Sequence, residues 1–161
     1  MSSTRKLLFS GFIFCLALLL ASVYMQHVLE LEPCPLCIFQ RVMVLITGLF
    51  FLIAAIHNPA KTGTRIYAGL ISTSALLGAA ISARHVWLQS LPADQVPSCG
   101  PGMGFIMNNF PLADALSLVL KGSGECAEVS WTFLSLSIPA WTLLTFLGML
   151  GLAIFAAWRQ H

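Results

Sequence analysis

Four long apolar stretches constrain the fold of this chain more than any other feature of its sequence. Each has about twenty residues, the length that an α-helix needs to cross the hydrocarbon core of a bilayer. They cover residues 7–26, 38–56, 66–87 and 139–158. We therefore predict that residues 1–161 form a single membrane domain, an all-α transmembrane four-helix bundle.

The composition excludes most other classes of protein. Charged residues make up 9% of the chain and hydrophobic residues 58%, whereas charged residues are about 25% of an ordinary soluble domain. So few charges could not cover the surface of a soluble enzyme, and they form no basic patch for a nucleic acid. Membrane lipid is therefore the predicted surrounding of the helices, with no nucleic-acid partner.

The positions of the charges predict the orientation of the four spans. An even number of spans puts both termini on one side, together with the short loop 57–65. The positive-inside rule favours a cytoplasmic location for that side, because it holds five of the eight basic residues: Arg5, Lys6, Lys61, Arg65 and Arg159. The two outer loops, about 27–37 and 88–138, hold all six acidic residues.

Small residues recur along one face of the third apolar stretch. Ser74, Gly78 and Ser82 are four residues apart, so they share one face of a helix. Such a stripe lets a neighbouring helix approach closely within a membrane. We therefore predict a tight helix–helix contact at this face.

The long outer loop contains a predicted short helix at residues 111–120. Its sequence, PLADALSLVL, places Leu112, Leu116, Val119 and Leu120 on one face. An amphipathic helix of this kind is typical of a segment that lies on the membrane surface. The same pattern equally fits a helix that is tucked against the bundle.

The five cysteines divide into one in the membrane and four outside it. Cys15 lies in the middle of the first span and is expected to be a small buried hydrophobe. The other four, Cys34, Cys37, Cys99 and Cys126, lie two in each outer loop, on the side where disulfides form. Four cysteines allow three pairings, of which Cys34–Cys37 with Cys99–Cys126 is the simplest.

The C-x-x-C of Cys34 and Cys37 is placed for reactivity. Cys37 stands near the predicted N-terminus of the second span, where the partial positive charge of the helix favours a thiolate. Arg41 follows four residues later on the same helix face and adds a fixed cation. A second interpretation of Arg41 is an arginine that snorkels to the interface.

His85 lies near the outer end of the third span, at a predicted depth that matches that of Arg41. The two side chains could therefore face one pocket at the outer rim of the bundle. A lone histidine in this position is also compatible with a packed or interfacial residue.

Two dithiol pairs on one side of a membrane suggest an electron relay, because thiolates attack disulfides and pass the oxidised state along. The sequence contains no glycine-rich dinucleotide fingerprint and no convincing haem or flavin motif. An electron acceptor that is dissolved in the bilayer, such as a quinone, would need no such motif.

Over essentially its whole length the chain resembles the DsbB family, disulfide bond formation proteins of the bacterial inner membrane. The resemblance rests on CPLCIFQR, from Cys34 to Arg41, at the head of the second span, and on the second cysteine pair in the next outer loop. Gln40 stands where relatives often have glutamate, which removes one negative charge beside the site. The resemblance continues through Cys126-Ala127-Glu128, Trp131, Phe133-Leu134, Pro139 and Trp141.

This resemblance implies a protein-disulfide:quinone oxidoreductase that reoxidises a periplasmic DsbA-like thioredoxin-fold oxidase. Cys99 would form the intermolecular disulfide with that oxidase, and Cys126 would be its partner. Cys126 could then exchange with Cys34. Cys37 would be the thiolate closest to the quinone, which is ubiquinone or menaquinone.

The resemblance also implies how the quinone is bound. Arg41 would stabilise the thiolate and bind the quinone oxygen, and His85 matches the family's quinone-proximal histidine. It further implies that the chain lies in the bacterial inner membrane, with both termini cytoplasmic and both outer loops in the periplasm.

Three other functions stay open. The four outer cysteines could bind zinc or copper(I), with Met103 and Met107 near Cys99 as soft ligands, although we expect no metal. An enzyme of the vitamin K epoxide reductase type also uses two cysteine pairs on four helices, but its C-x-x-C lies late in the bundle. A non-catalytic scaffold with two structural disulfides would reduce no quinone and would tolerate the loss of Arg41.

Overall fold

A computed structural model describes residues 3–92, 94–96, 98, 105, 108, 109 and 111–159, without the side chains of residues 112, 113, 115 and 116. Within these residues, four long helices form the body of the protein: α1 (Ser3–His27), α2 (Pro35–His57), α3 (Lys61–Gln89) and α6 (Ile138–Trp158). Between α3 and α6 lie α4 (Leu112–Lys121), the single turn α5 (Gly124–Ala127), and a hairpin of β1 (Thr132–Phe133) and β2 (Leu136–Ser137).

The four long helices are each long and apolar enough to cross a membrane. Each predicted apolar stretch lies within one of them. The predicted all-α four-helix membrane bundle is therefore confirmed, and the chain is a multi-pass membrane protein. Which side of the membrane each loop faces stays a prediction.

Prolines set the ends of α2. Pro35 occupies its first turn, where the missing N–H of proline leaves no helical hydrogen bond unmade. The helix ends at His57. Asn58 caps it, with a left-handed φ of 44° and an N–H that donates to the Ala54 carbonyl at 3.0 Å. Pro59 follows, and it disfavours a helical conformation at the residue before it. These ends place Cys34 and Cys37 at the start of a membrane helix.

Close approach of α3 to its neighbours forms the centre of the bundle. The ring of Phe146, on α6, lies directly against Gly78, and Ser74 and Ser82 are buried on the same face of α3. The Thr47 hydroxyl, on α2, donates to the Ser74 hydroxyl at 3.0 Å. The tight contact that the small-residue stripe predicted is therefore confirmed.

The helices pack in the order α1, α2, α3, α6, with a looser contact between α1 and α6. Cys15 of α1 is buried in the core between α2 and α6. Its Cβ lies close to Gly48, and its sulfur is 3.5 Å from the Met149 sulfur. The prediction that Cys15 is a small core residue is confirmed.

The predicted short helix of the outer loop is present as α4. The Arg84 guanidinium stacks on the Trp87 ring, 4.2 Å from its centroid, and donates to the carbonyls of Leu120 and Lys121 at 3.3 and 3.2 Å. These bonds satisfy carbonyls at the end of α4 that lack a helical partner. The C-terminal end of α4, with Val119 buried, is thus tucked against the bundle.

Candidate active site

Cys34 and Cys37 lie together at the start of α2. Cys34 is the residue before the helix, in an extended conformation, and Cys37 is in the first turn. Their sulfur atoms are 3.3 Å apart, and both are free thiols. The first turn of a helix carries a partial positive charge from its unpaired N–H groups. The local fold therefore places both sulfurs where negative charge is stabilised.

His85 reaches the same place from the outer end of α3 and is only 2% exposed. Its Nε2 lies 3.0 Å from the Cys126 carbonyl oxygen, and its Nδ1 lies 3.1 Å from the Gln40 side-chain nitrogen. A carbonyl only accepts and an amide nitrogen only donates, so Nε2 carries the hydrogen and Nδ1 accepts. This pattern corresponds to a neutral imidazole whose orientation is held from both sides.

The imidazole of His85 lies beside both sulfurs of the C-x-x-C, which are themselves 3.3 Å apart. The Cys34 sulfur is 3.8 Å from Nε2, and the Cys37 sulfur is 4.0 Å from Nδ1. The structure therefore joins the C-x-x-C of α2 with the histidine of α3. The sequence predicted that His85 and Arg41 lie at a similar depth and could face one pocket, but not that the imidazole contacts both sulfurs.

Cys126 is also brought to this site, on the short helix α5. It is fully buried, and it packs in a cluster with Cys34, Leu36 and Leu88. A hydrogen bond with Cys34 and burial together raise the pKa of the Cys126 thiol far above its usual range. The structure thus brings Cys126 next to Cys34. Cys99, the other cysteine of the predicted outer pair, lies outside the described residues.

Arg41 is half-buried one turn below Cys37, and it links α2 to α1. Its Nη1 donates a hydrogen bond to the side-chain oxygen of Gln26. Its Nη2 donates to the Ser22 carbonyl at 3.1 Å. A freely snorkelling arginine would not need partners of this kind. The two bonds hold the charge at a defined position beside the cysteines.

A cavity of about 360 Å³ lies against these residues, between α1 and α6. Leucine and methionine side chains of α1 and the first turns of α6 give it a mostly apolar lining. Its polar lining includes Cys34, Cys37, Gln40, Arg41 and His85, together with three glutamates, Glu32, Glu125 and Glu128. Its aromatic lining comes from Trp131, Phe133 and Trp141.

Two kinds of ligand are compatible with the donor atoms. The sulfurs of Cys34 and Cys37 and a ring nitrogen of His85 lie within 4.8 Å of one another, a spacing that a metal ion could bridge. The cavity beside them suits a flat organic ring, because apolar walls with a few convergent polar groups are typical of small-molecule sites.

Sequence reasoning did not find three partners of the site. Gln40 is 3% exposed and hydrogen-bonds His85, although its spacing from Cys37 already places it on the same helix face. Gln26 and the Ser22 carbonyl hold Arg41. No signal in the sequence marks the Ser22 carbonyl, because a backbone group carries no residue identity.

Comparison with known proteins agrees with this architecture. The family model described as "Disulfide bond formation protein DsbB" matches residues 4–156. Disulfide bond formation protein B of Nitrosococcus oceani is 54% identical to this chain, and the match covers 98% of this chain and 92% of the relative. The protein of the same name from Methylococcus capsulatus is 53% identical, and the match covers 99% of this chain and 97% of the relative. Disulfide bond formation protein B 1 of Pseudomonas aeruginosa is 44% identical, and the match covers 99% of this chain and 98% of the relative. The chain therefore belongs to the DsbB family, membrane oxidoreductases of disulfide bond formation.

Proposed function

We propose that this chain reoxidises a DsbA-like periplasmic thiol oxidase and passes the electrons to a membrane quinone. The observation that carries the proposal is that Cys37, Arg41 and His85 line one mostly apolar cavity. A quinone ring fits such a site, since apolar walls hold the ring and a few polar groups orient its oxygens. The looser contact of α1 with α6 is compatible with entry from the bilayer.

The overall reaction transfers two electrons and two protons. The oxidase dithiol and the quinone become the oxidase disulfide and the quinol. A thiolate of the oxidase attacks the Cys99–Cys126 disulfide at Cys99, and the second thiol of the oxidase resolves the mixed disulfide. Cys99 and Cys126 are then the reduced pair, and the oxidase leaves with its disulfide.

A second thiol–disulfide exchange transfers the two electrons from the Cys99–Cys126 pair to the Cys34–Cys37 pair. Cys126, after losing its proton, attacks the Cys34–Cys37 disulfide at Cys34, and Cys37 leaves as a thiolate. The contact of Cys126 with Cys34 supports this choice of sulfur. A leaving thiolate departs faster when its charge is stabilised, and Cys37 has both the helix N-terminus and Arg41 for that purpose. Closure of the Cys99–Cys126 disulfide then releases Cys34 as its thiol.

The reduced Cys34–Cys37 pair would then reduce a quinone bound in the cavity. When bound, the quinone supplies the acceptor for both electrons and both protons. The Arg41 charge stabilises the Cys37 thiolate and offers hydrogen bonds to a ligand oxygen. His85, with an accepting Nδ1 at 4.0 Å from the Cys37 sulfur, provides a base for a thiol proton. Gln40 keeps that imidazole in place.

The same proposal assigns the membrane sides. We place the cysteine-bearing end of the bundle and loops 27–37 and 88–138 in the periplasm of a bacterium. Loop 57–65 and both termini lie in the cytoplasm, with the inner membrane between them. This arrangement agrees with the positive-inside rule and with the need of disulfides for an oxidising compartment.

The proposed function is tested with purified protein, a reduced DsbA-like oxidase and a short-chain ubiquinone analogue. Quinone absorbance is followed while the free thiols of the oxidase are counted. We expect one quinone to be reduced for each dithiol that is oxidised. If the wild-type protein leaves both reactants unchanged while its own cysteines remain disulfide-bonded, a scaffold with structural disulfides explains the chain better.

Arg41→Ala is expected to raise the quinone KM by roughly 10–100-fold, the range that corresponds to the loss of one hydrogen bond from a charged group. Arg41→Lys keeps the positive charge but not the planar guanidinium, so its quinone KM should lie between those of the wild type and Arg41→Ala. The measurement is the quinone dependence of turnover at saturating oxidase. Arg84→Ala is the matched control, since Arg84 is at the same end of the bundle but contacts Trp87 and α4. Equal KM values for Arg41→Ala and the wild type would contradict the assigned role.

A second candidate function, metal binding, is favoured by the three clustered donors of Cys34, Cys37 and His85. Cysteine sulfur and imidazole are suitable ligands for zinc and copper(I). Both nitrogens of His85 already have hydrogen-bond partners, so a metal would have to displace Gln40 or the Cys126 carbonyl. Elemental analysis of protein purified without reductant or chelator separates the two: a stoichiometric metal with no quinone reduction supports metal binding.

A further inference from the structure

The hairpin before α6 exposes apolar side chains at its tip. Its two strands pair Phe133 with Leu136, and Leu134 and Ser135 form the two-residue turn between them. Leu134 is 72% exposed and Phe133 is 52% exposed. These large apolar side chains are unfavourable in water and favourable in the apolar part of a bilayer.

The backbone at the tip is also unusual for a leucine. The φ angles of Leu134 and Ser135 are 51° and 65°, the left-handed region that a two-residue type I′ turn requires. Asparagine, aspartate and glycine favour this turn, and leucine has none of their conformational advantages. The requirements of the turn therefore do not explain a leucine at this position. We attribute it to a role of the apolar side chain.

The position of the hairpin indicates what surrounds it. Its last residue, Ser137, is followed directly by Ile138, the first residue of the membrane helix α6. Residues 129–158 carry no charge, so the uncharged segment begins nine residues before that helix. Trp131 and Trp141 flank the hairpin, and tryptophan is enriched where a span meets the lipid headgroups. The Trp141 ring nitrogen donates to the Phe133 carbonyl at 3.0 Å, which fixes the hairpin to α6.

We propose that the hairpin of residues 132–137 is a lipid-anchored flap, with the side chain of Leu134 inserted into the outer interface of the bilayer. The occupant of this apolar surface is membrane lipid, which is continuous with the lipid around α6. Insertion removes Leu134 and part of Phe133 from water and holds the hairpin close to the head of α6.

The flap has a consequence that rests on the proposed function. Trp131, Phe133 and Trp141 form the aromatic wall of the cavity, and their rings are about 6 Å apart, with Trp131 stacked on Phe133. A hairpin anchored in lipid therefore holds one wall of the cavity at the level where a long-chain quinone arrives. Loss of the anchor should impair capture of such a quinone from the bilayer.

Insertion is tested by fluorescence, without reference to turnover. A genetically encoded environment-sensitive fluorophore replaces Leu134 in the full chain, reconstituted in vesicles with lipids brominated near the headgroup or deep in the acyl chain. We expect quenching by the shallow bromines and protection from aqueous iodide. Leu77, an exposed residue in the middle of α3, is the deep control, and Asp94, an exposed residue in the loop after α3, is the aqueous control.

A fluorophore at Leu134 that is quenched by iodide and not by either brominated lipid would overturn the proposal, because the tip would then lie in water or against protein. The same label at Leu136, on the other strand, gives an independent result if the Leu134 label prevents reconstitution. Agreement of the two sites with shallow bromine quenching supports the flap.

The consequence for the cavity is tested with Leu134→Asn, which suits the left-handed turn but removes the apolar anchor. We expect a several-fold higher KM for a long-chain quinone in vesicles, with an unchanged KM for a water-soluble analogue. An unchanged KM for both quinones would overturn the link between anchor and cavity. Wild-type protein that reduces neither quinone would instead refute the proposed function, and the fluorescence result would still stand.

Discussion

Replacing Cys37 with serine is expected to lower quinone-dependent oxidation of the DsbA-like partner by more than about a thousandfold, as happens when an essential nucleophile is removed. A serine hydroxyl cannot form a disulfide with Cys34, and it is not ionised at neutral pH. The electrons of the oxidase would then stop at the cysteines of the outer loop. The measurement is the initial rate of quinone absorbance loss at saturating oxidase.

Cys15→Ala is the matched control for this loss of activity. Cys15 is a free cysteine like Cys37, but it is buried in the middle of α1, against Gly48 and Met149. We expect its replacement to leave the rate of quinone reduction unchanged. If Cys37→Ser kept a rate similar to that of Cys15→Ala, the C-x-x-C would not be the route of electrons to the quinone.

Gly78→Ala is expected to give the largest loss of stability among single-methyl changes in the bundle. A Cβ at Gly78 would lie 2.3 Å from two ring atoms of Phe146, and that ring is fully buried. Either the ring or helix α6 must move, and overpacking of this kind lowers the free energy of unfolding by about 1–3 kcal/mol. Titration with SDS in mixed micelles, followed by tryptophan fluorescence, measures the change.

Gly148→Ala tests whether the effect comes from the contact or from the loss of any helical glycine. A Cβ at Gly148 would meet no heavy atom within 4 Å. Alanine is also the better helix former, by roughly 0.5–1 kcal/mol. We therefore expect unchanged or higher stability. Equal destabilisation by the two substitutions would show that α3 and α6 are not closely packed at Gly78.

Local sequence was sufficient to predict the helices, because a membrane span depends on a run of apolar residues and little else. The prediction that Cys37 lies near the start of the second span followed from the apolar stretch that begins at residue 38. The stripe of Ser74, Gly78 and Ser82 predicted a close contact. It could not identify Phe146 as the residue opposite, since that ring lies more than sixty positions away along the chain.

The candidate site was only partly accessible to sequence reasoning. Cysteine spacing and the positions of Arg41 and His85 indicated the residues. The resemblance to the DsbB family implied their roles, which remain part of our proposal. The spacing of residues could not place His85 beside the sulfurs of Cys34 and Cys37, nor Cys126 next to Cys34. It also gave no sign that Gln40 orients the imidazole or that the Ser22 carbonyl holds Arg41. Each of these contacts joins segments that are well separated in the chain.

The sequence by itself determined that this chain is a four-helix membrane protein with a C-x-x-C at the start of its second span, because hydropathy, helix breakers and cysteine spacing are properties of short segments. The tertiary structure decided which groups meet. It placed the neutral imidazole of His85 beside both thiols, tied Arg41 to α1, and closed an aromatic wall over the cavity with an exposed hairpin. Those arrangements depend on how the four long helices pack against one another, and packing between distant segments is not encoded in any one of them.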